Sequence, residues 1–171
     1  MRNLLKECPP PARFRGVDKV DWACFTRQPD FLRPHKHTGR RLAGVKYEGK
    51  VQEYLVKTFP ESYLPSPWLQ FFYRGSARWC QPDGLFLFPA KGEIIVTEVK
   101  YQHTSDAWWQ LHHLYGPVLS AIFPRDEWKY SFLEVVKWYD PNVAFPCQVK
   151  MMASPLTPLG EGETGVHIWT P

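Results

Sequence analysis

The chain has 171 residues, about one domain's length, and with 44% apolar and 22% charged residues it can bury a single core. That composition excludes a disordered polyelectrolyte, a coiled coil and a collagen-like repeat, and no apolar run approaches the roughly 18–20 residues that span a bilayer. The net charge of +4 is unevenly spread: residues 1–60 hold 13 Lys and Arg against 6 Asp and Glu, whereas residues 61–171 hold 8 against 11.

Residues 1–40, with Pro9, Pro10, Pro11, Pro29 and Pro34, read as a basic, aromatic-rich arm with few regular elements. Met1 to Pro11 lack the apolar core of a signal peptide, so a cytoplasmic location and no membrane partner are expected. Arg27, Arg33, Lys36, Arg40, Arg41 and Lys46 are interleaved with Trp22, Phe25, Phe31, His35 and His37. Cations of this density suit a polyanion, because each one brought to a phosphate releases condensed counterions, and the aromatics can stack on exposed bases. Cys8, Cys24, Cys80 and Cys147 form no C-x-x-C pair, which gives a structural zinc site little support and leaves reduced thiols as the expectation.

A core domain is expected over 41–140. From Arg41 to Phe59, Leu42, Val45, Leu55, Val56 and Phe59 fall at helical spacing, and Pro60 stops the helix. Three β-rich runs follow, Trp68 to Arg74, Arg78 to Phe88 and Glu93 to Tyr101, with turns at Gly75-Ser76 and Lys91-Gly92. They read as an antiparallel meander.

A second helix is predicted after a cap at Thr104, Ser105 or Asp106, burying Trp108, Leu111, Leu114, Tyr115, Val118, Leu119 and Ile122, with an interruption at Pro117. Trp108 and Trp109 belong to core and rim, and His112 and His113 are not spaced as a metal pair. Tyr130 to Tyr139 reads as a strand, and 141–171 as a loop-rich extension with a short strand at Val166 to Thr170. The expected order is helix, three-stranded meander, helix, strand, in an α/β domain with a mixed sheet.

In the strand Ile94 to Lys100 side chains alternate, so Glu98 and Lys100 share a face with Ile94 and Val96. Pairing about Lys91-Gly92 opposes positions whose numbers sum to about 183, near which Asp83 lies level with Glu98 or Lys100. Two carboxylates and a lysine converging there suit a hard divalent cation and a water beside it. A bare acid-x-Lys is a weak motif. Glu48-Gly-Lys50 and Glu127-Trp-Lys129 also match it, but only Glu98-Val99-Lys100 ends a β-branched strand and follows Pro82-Asp83.

In Pro82-Asp83 followed by Glu98-Val99-Lys100, the chain resembles the PD-(D/E)XK nuclease superfamily, whose restriction-endonuclease-like core has the same order of helix, meander, helix and strand. Gly44 through Glu48 resembles the G-x-x-x-E opening of archaeal Holliday-junction resolvases and marks Glu48 as a third acid, with Glu53 as competitor. The superfamily's RecB-like branch carries Q-x-x-x-Y in the second helix, where Gln110 and Tyr115 stand five apart.

The resemblance implies a Mg2+- or Mn2+-dependent DNA nuclease, endonuclease before exonuclease, in recombination, repair or a phage or mobile element. It places Asp83, Glu98 and the Val99 carbonyl on the metal, Glu48 behind a metal-bound water and Lys100 beside the nucleophile. Gln110, Gln102 and His103 are auxiliary candidates, and Arg33, Lys36, Arg40, Arg41 and Lys46 are expected on DNA. A homodimer, or recombination, transposition or phage proteins, are possible partners, at the nucleoid or in a host cytoplasm. Two rivals keep the fold: a catalytically silent DNA-binding or assembly module, and the end-cleaving subunit of a transposition complex.

Overall fold

The element that departs first from these expectations lies within the arm. Trp22–Thr26 forms strand β1, whose alternation buries Ala23 on one face and leaves Trp22 open on the other. The structure is a computed structural model and describes residues 17, 20–33, 36–102, 105–137 and 166–169. His103, the cysteines Cys8 and Cys147, and most of the C-terminal extension lie outside the described residues.

Helix α1 spans Gly39–Thr58 and buries Tyr47, Val51 and Leu55. Of the apolar positions expected to face the core, only Leu55 does; Leu42, Val45, Val56 and Phe59 are exposed. The buried stripe is the one running from Gly44 through Glu48 to Val51 and Leu55, at the spacing of one helix face. Glu48 is its one charged member, and Glu53 is exposed.

The strands β2 (Tyr63–Pro65), β3 (Trp68–Tyr73), β4 (Ser76–Cys80), β5 (Gly84–Phe88) and β6 (Glu93–Lys100) follow. The expected run from Arg78 to Phe88 is therefore two strands in two sheets. Pro82 lacks the N–H that a continuous ladder needs, and the chain turns out of one sheet at Gln81-Pro82-Asp83 into the other. The antiparallel sheet has the order β1-β3-β4, closed at Arg74-Gly75, where both residues adopt positive φ.

The mixed sheet has the order β2-β5-β6-β7-β8, adding β7 (Lys129–Val136) and β8 (Val166–Trp169) in parallel beside β6. Its meander is β2-β5-β6, with the β3–β4 hairpin inserted between the first and second strands. Pro65 is tolerated in β2 because that strand lies at the sheet edge.

The second helical run begins as α2 (Ser105–Gln110), widens into a π-helical turn (Leu111–Tyr115) and resumes as α3 (Gly116–Ser120). The irregularity expected at Pro117 falls in the turn before it, where the ring displaces the usual i→i−4 bonding. Gly116 leaves room there: a Cβ would come within 2.9 Å of the Phe132 ring.

The mixed sheet is covered on both faces. The α2–α3 run and the inner face of β1-β3-β4 enclose Leu69, Phe71, Ile94, Val96, Leu111 and Phe132 on one side, and α1 packs on Phe86, Val99, Leu133 and Val135 on the other. No helix of the described residues is long and apolar enough to cross a membrane.

Candidate active site

The polar residues gather where β5 begins and β6 ends. The two strands pair with Gly84 opposite Thr97, a register two residues from that expected, because Pro89–Lys91 forms a 3-10 turn closed by Gly92 at φ 59°. An offset of two keeps every side chain on its face and carries Asp83 to the level of Glu98.

Asp83 is fixed at both ends. Its Oδ2 accepts the Val99 N–H at 2.6 Å. Its carbonyl accepts from the Ser66 N–H (3.1 Å), the Gln52 amide (3.1 Å), the Tyr63 hydroxyl (3.3 Å) and the Ser66 hydroxyl (3.4 Å). Ser66 is held at φ 40°, rare for a residue with a Cβ, with its N–H and hydroxyl both aimed at that oxygen. Gln52 also donates to Glu48 Oε1 at 3.2 Å, tying α1 to the loop that carries Asp83.

Glu98 is 2% exposed, and Lys100 donates to its Oε1 in an ion pair. The Tyr115 hydroxyl lies within reach of Glu98, but its one hydrogen is directed at the Gln81 carbonyl, 3.1 Å away. Glu98 Oε2 is left buried with no hydrogen-bond partner. Glu48 approaches from α1, close enough to repel both Asp83 and Glu98.

The electrostatics follow from acids crowded out of water. Burial, then repulsion from Glu48, pushes Asp83 up to about 7, against the opposing pull of the Val99 N–H and Lys100. Burial, then Asp83, pushes Glu98 up to about 8, with Lys100 pulling the other way. Glu48 is raised by burial and by Glu98. For Lys100, burial favours the neutral amine, but Glu98 and Asp83 outweigh it and the group is raised, so it holds its proton. Such crowding favours the protonated acids in the absence of a compensating positive charge.

Among the described residues no three His, Cys, Asp or Glu side chains stand close enough to hold a metal ion together. The donors at hand are the carboxylates of Asp83 and Glu98, hard oxygens of the kind magnesium and manganese take, with an unpartnered buried oxygen on Glu98. The residues fit such an ion.

Gln110 donates to the Tyr115 hydroxyl at 3.2 Å. Five residues apart, they meet because the π-helical turn gives i→i+5 the alignment that i→i+4 has in an α-helix. Gln102 is exposed just beyond β6. Arg33, Lys36, Arg40, Arg41 and Lys46 are all exposed, the last three along α1, whose first turn holds no acid.

Sequence reasoning missed Gln52, Ser66 and Glu134. Gln52 stands one helical turn after Glu48, a spacing open to inspection. Glu134, 1% exposed and level with Glu98 in the parallel ladder, is the single acid in the apolar strand β7. Ser66 left no signal, because its role depends on the inserted hairpin.

No protein-family model, curated protein or solved structure matches the chain.

Proposed function

We propose that the chain is a divalent-metal-dependent DNA nuclease of the PD-(D/E)XK type, hydrolysing phosphodiester bonds and acting as an endonuclease. The observation that carries this reading is the buried Asp83–Glu98 pair beside Lys100, with Oε2 of Glu98 lacking any donor. The element order supports it: α1, the meander β2-β5-β6, the α2–α3 run and then β7 follow the restriction-endonuclease-like pattern, with β1 and the β3–β4 hairpin as additions. The pairing of Gln110 with Tyr115 supports a RecB-like relation.

Asp83, Glu98 and the Val99 carbonyl are the groups to hold Mg2+ or Mn2+, with Glu48 acting through water. A bound ion of this kind lowers the pKa of water and offsets phosphate charge. Lys100, kept as an ammonium by Glu98, orients the attacking water and stabilises charge developing on the phosphate. Gln52 and Ser66 keep Asp83 in place while that charge develops. Arg40, Arg41 and Lys46, with Arg33 and Lys36, hold the DNA backbone through its phosphates.

The test is cleavage of plasmid and branched DNA in Mg2+ by wild type, Asp83→Ala and Lys100→Ala. Cutting by wild type alone is expected, and equal activity in all three sinks the site. Salt-sensitive binding without cutting identifies the silent module instead, and cutting restored by an added partner identifies a transposition subunit.

A further inference from the structure

The sheet β1-β3-β4 has one covered face and one open face. Ala23, Leu69, Phe71, Tyr73 and Cys80 point into the core. The alternate positions carry aromatics outward. Trp22 lies opposite Phe72, and the two are 50% and 38% exposed. In the next row Gln70 lies opposite Trp79, and Phe31, 65% exposed, meets the Trp79 ring edge-on with centroids 5.3 Å apart. Beside them opens a concavity of about 450 Å³, walled by Phe31 and Trp79 and lined by the amides of Gln28 and Gln70 and by Arg27. That volume is in the range that takes a small organic group.

We infer that this face binds single-stranded DNA, with unpaired bases lying against Trp22, Phe72 and Trp79 and one base entering the concavity beside Phe31. The inference deepens the nuclease reading, on which it rests for the identity of the polymer, by naming a substrate with an unpaired strand. Aromatic faces take any base, provided that base is unstacked, and a duplex offers none. The amides of Gln28 and Gln70 match the mixed donors and acceptors of a base edge. Arg27 lines the concavity and Arg33, two residues after Phe31, is exposed, where the phosphates of such a strand run. Arg27 is paired with Asp30 at 3.7 Å, but both side chains are almost fully exposed, and a phosphate displaces so open a pair at little cost.

Position supports the same occupant. β3 begins two residues after Ser66, which bonds Asp83, and β4 ends three residues before Asp83. At full extension the Cα atoms of Trp79 and Asp83 are at most about 14 Å apart, about four stacked nucleotides at 3.4 Å each. A strand lying on the aromatic face is therefore within a few nucleotides of the carboxylates along the chain that joins them.

The experiment is fluorescence anisotropy of a labelled thymidine oligonucleotide and of a blunt duplex, in EDTA so that nothing is cut. Trp79→Ala is expected to weaken oligonucleotide binding by between about fivefold and a hundredfold, Trp22→Ala to weaken it less, and Trp79→Phe to retain most of it. Duplex binding stays unchanged in all three. Equal oligonucleotide affinity in wild type, Trp79→Ala and Trp22→Ala overturns the inference, as does an equal loss for oligonucleotide and duplex. A concentration-dependent dimer that Trp22→Ala dissolves also overturns it, assigning the face to a second copy of the chain. A wild type that binds the oligonucleotide through Trp79 yet cuts nothing in Mg2+ upholds the platform and refutes the nuclease reading alone.

Discussion

Asp83→Asn exchanges one buried carboxylate for a neutral group of the same shape whose oxygen can still accept the Val99 N–H. In the metal-free protein, burial and then Glu48 push Asp83 from its ordinary 3.8 up to about 7. A group raised on folding binds its proton more tightly in the folded state. Its favourable contribution is complete below about pH 4 and is lost as pH climbs to about 7. At 1.36 kcal/mol per pH unit the rise is worth up to about 4 kcal/mol.

Asp83 keeps some contact with solvent, which screens part of that. Glu98 is raised partly by Asp83, so its own cost falls in the same variant and the two cannot be summed. The expected net effect is a variant more stable than wild type by about 2–3 kcal/mol at about pH 8 in EDTA, or roughly 4–12 °C in melting temperature. Well below about pH 4, where both states are protonated, the two proteins melt together. Mg2+ raises the melting temperature of wild type at the higher pH and not that of the variant. Urea denaturation followed by tryptophan fluorescence across this range measures it. A variant less stable than wild type at about pH 8, or a difference independent of pH, refutes the crowded-acid account and leaves Asp83 as a structural acceptor.

Gly84→Ala places a Cβ 2.2 Å from the Tyr63 hydroxyl, which must leave the Asp83 carbonyl; a loss of about 2–3 kcal/mol and of DNA cleavage is expected in thermal melts and plasmid assays. Gln52→Ala removes a donor shared by Glu48 and the Asp83 carbonyl, costing about 1 kcal/mol and lowering kcat with KM for DNA unchanged, which separates positioning from binding. Arg40→Ala and Arg41→Ala are each expected to weaken duplex binding uniformly across sequences and to reduce the salt slope by about one phosphate contact, read from affinities at several salt concentrations. Unchanged slopes remove α1 from the interface.

The elements that sequence patterns identified are those in which period and burial coincide. Ile94 to Lys100 alternates in a strand buried on both faces, and Gly44, Glu48, Val51 and Leu55 follow one helical stripe, so both were legible with their acids in place. Leu42, Val45, Val56 and Phe59 misled because apolar residues also remain on surfaces. The run from Arg78 to Phe88 looked continuous because a two-residue period reports a strand and not its sheet. β2 is three residues long, inside a proline-rich loop, and its pairing with β5 is set by the tertiary fold. The relation of Gln110 to Tyr115 was hidden for a geometric reason: a spacing of five falls off an α-helical face and onto a π-helical one.

The inserted hairpin joins these observations. Its entry is Ser66 and its exit is Gln81-Pro82-Asp83, and the two are clamped by the Ser66 N–H on the Asp83 carbonyl and by the Gln81 amide on the Ser66 carbonyl at 2.8 Å. The Asp83 carboxylate thus sits on the joint between the two sheets, and the outward aromatics Phe72 and Trp79 sit on the hairpin itself. A strand held on that hairpin acts on the same backbone that aims Asp83. The positive φ of Ser66 has a physical reason in this arrangement, since the hairpin must leave β2 sharply enough to pair with β1 in the other sheet while both its ends stay bonded at the acid.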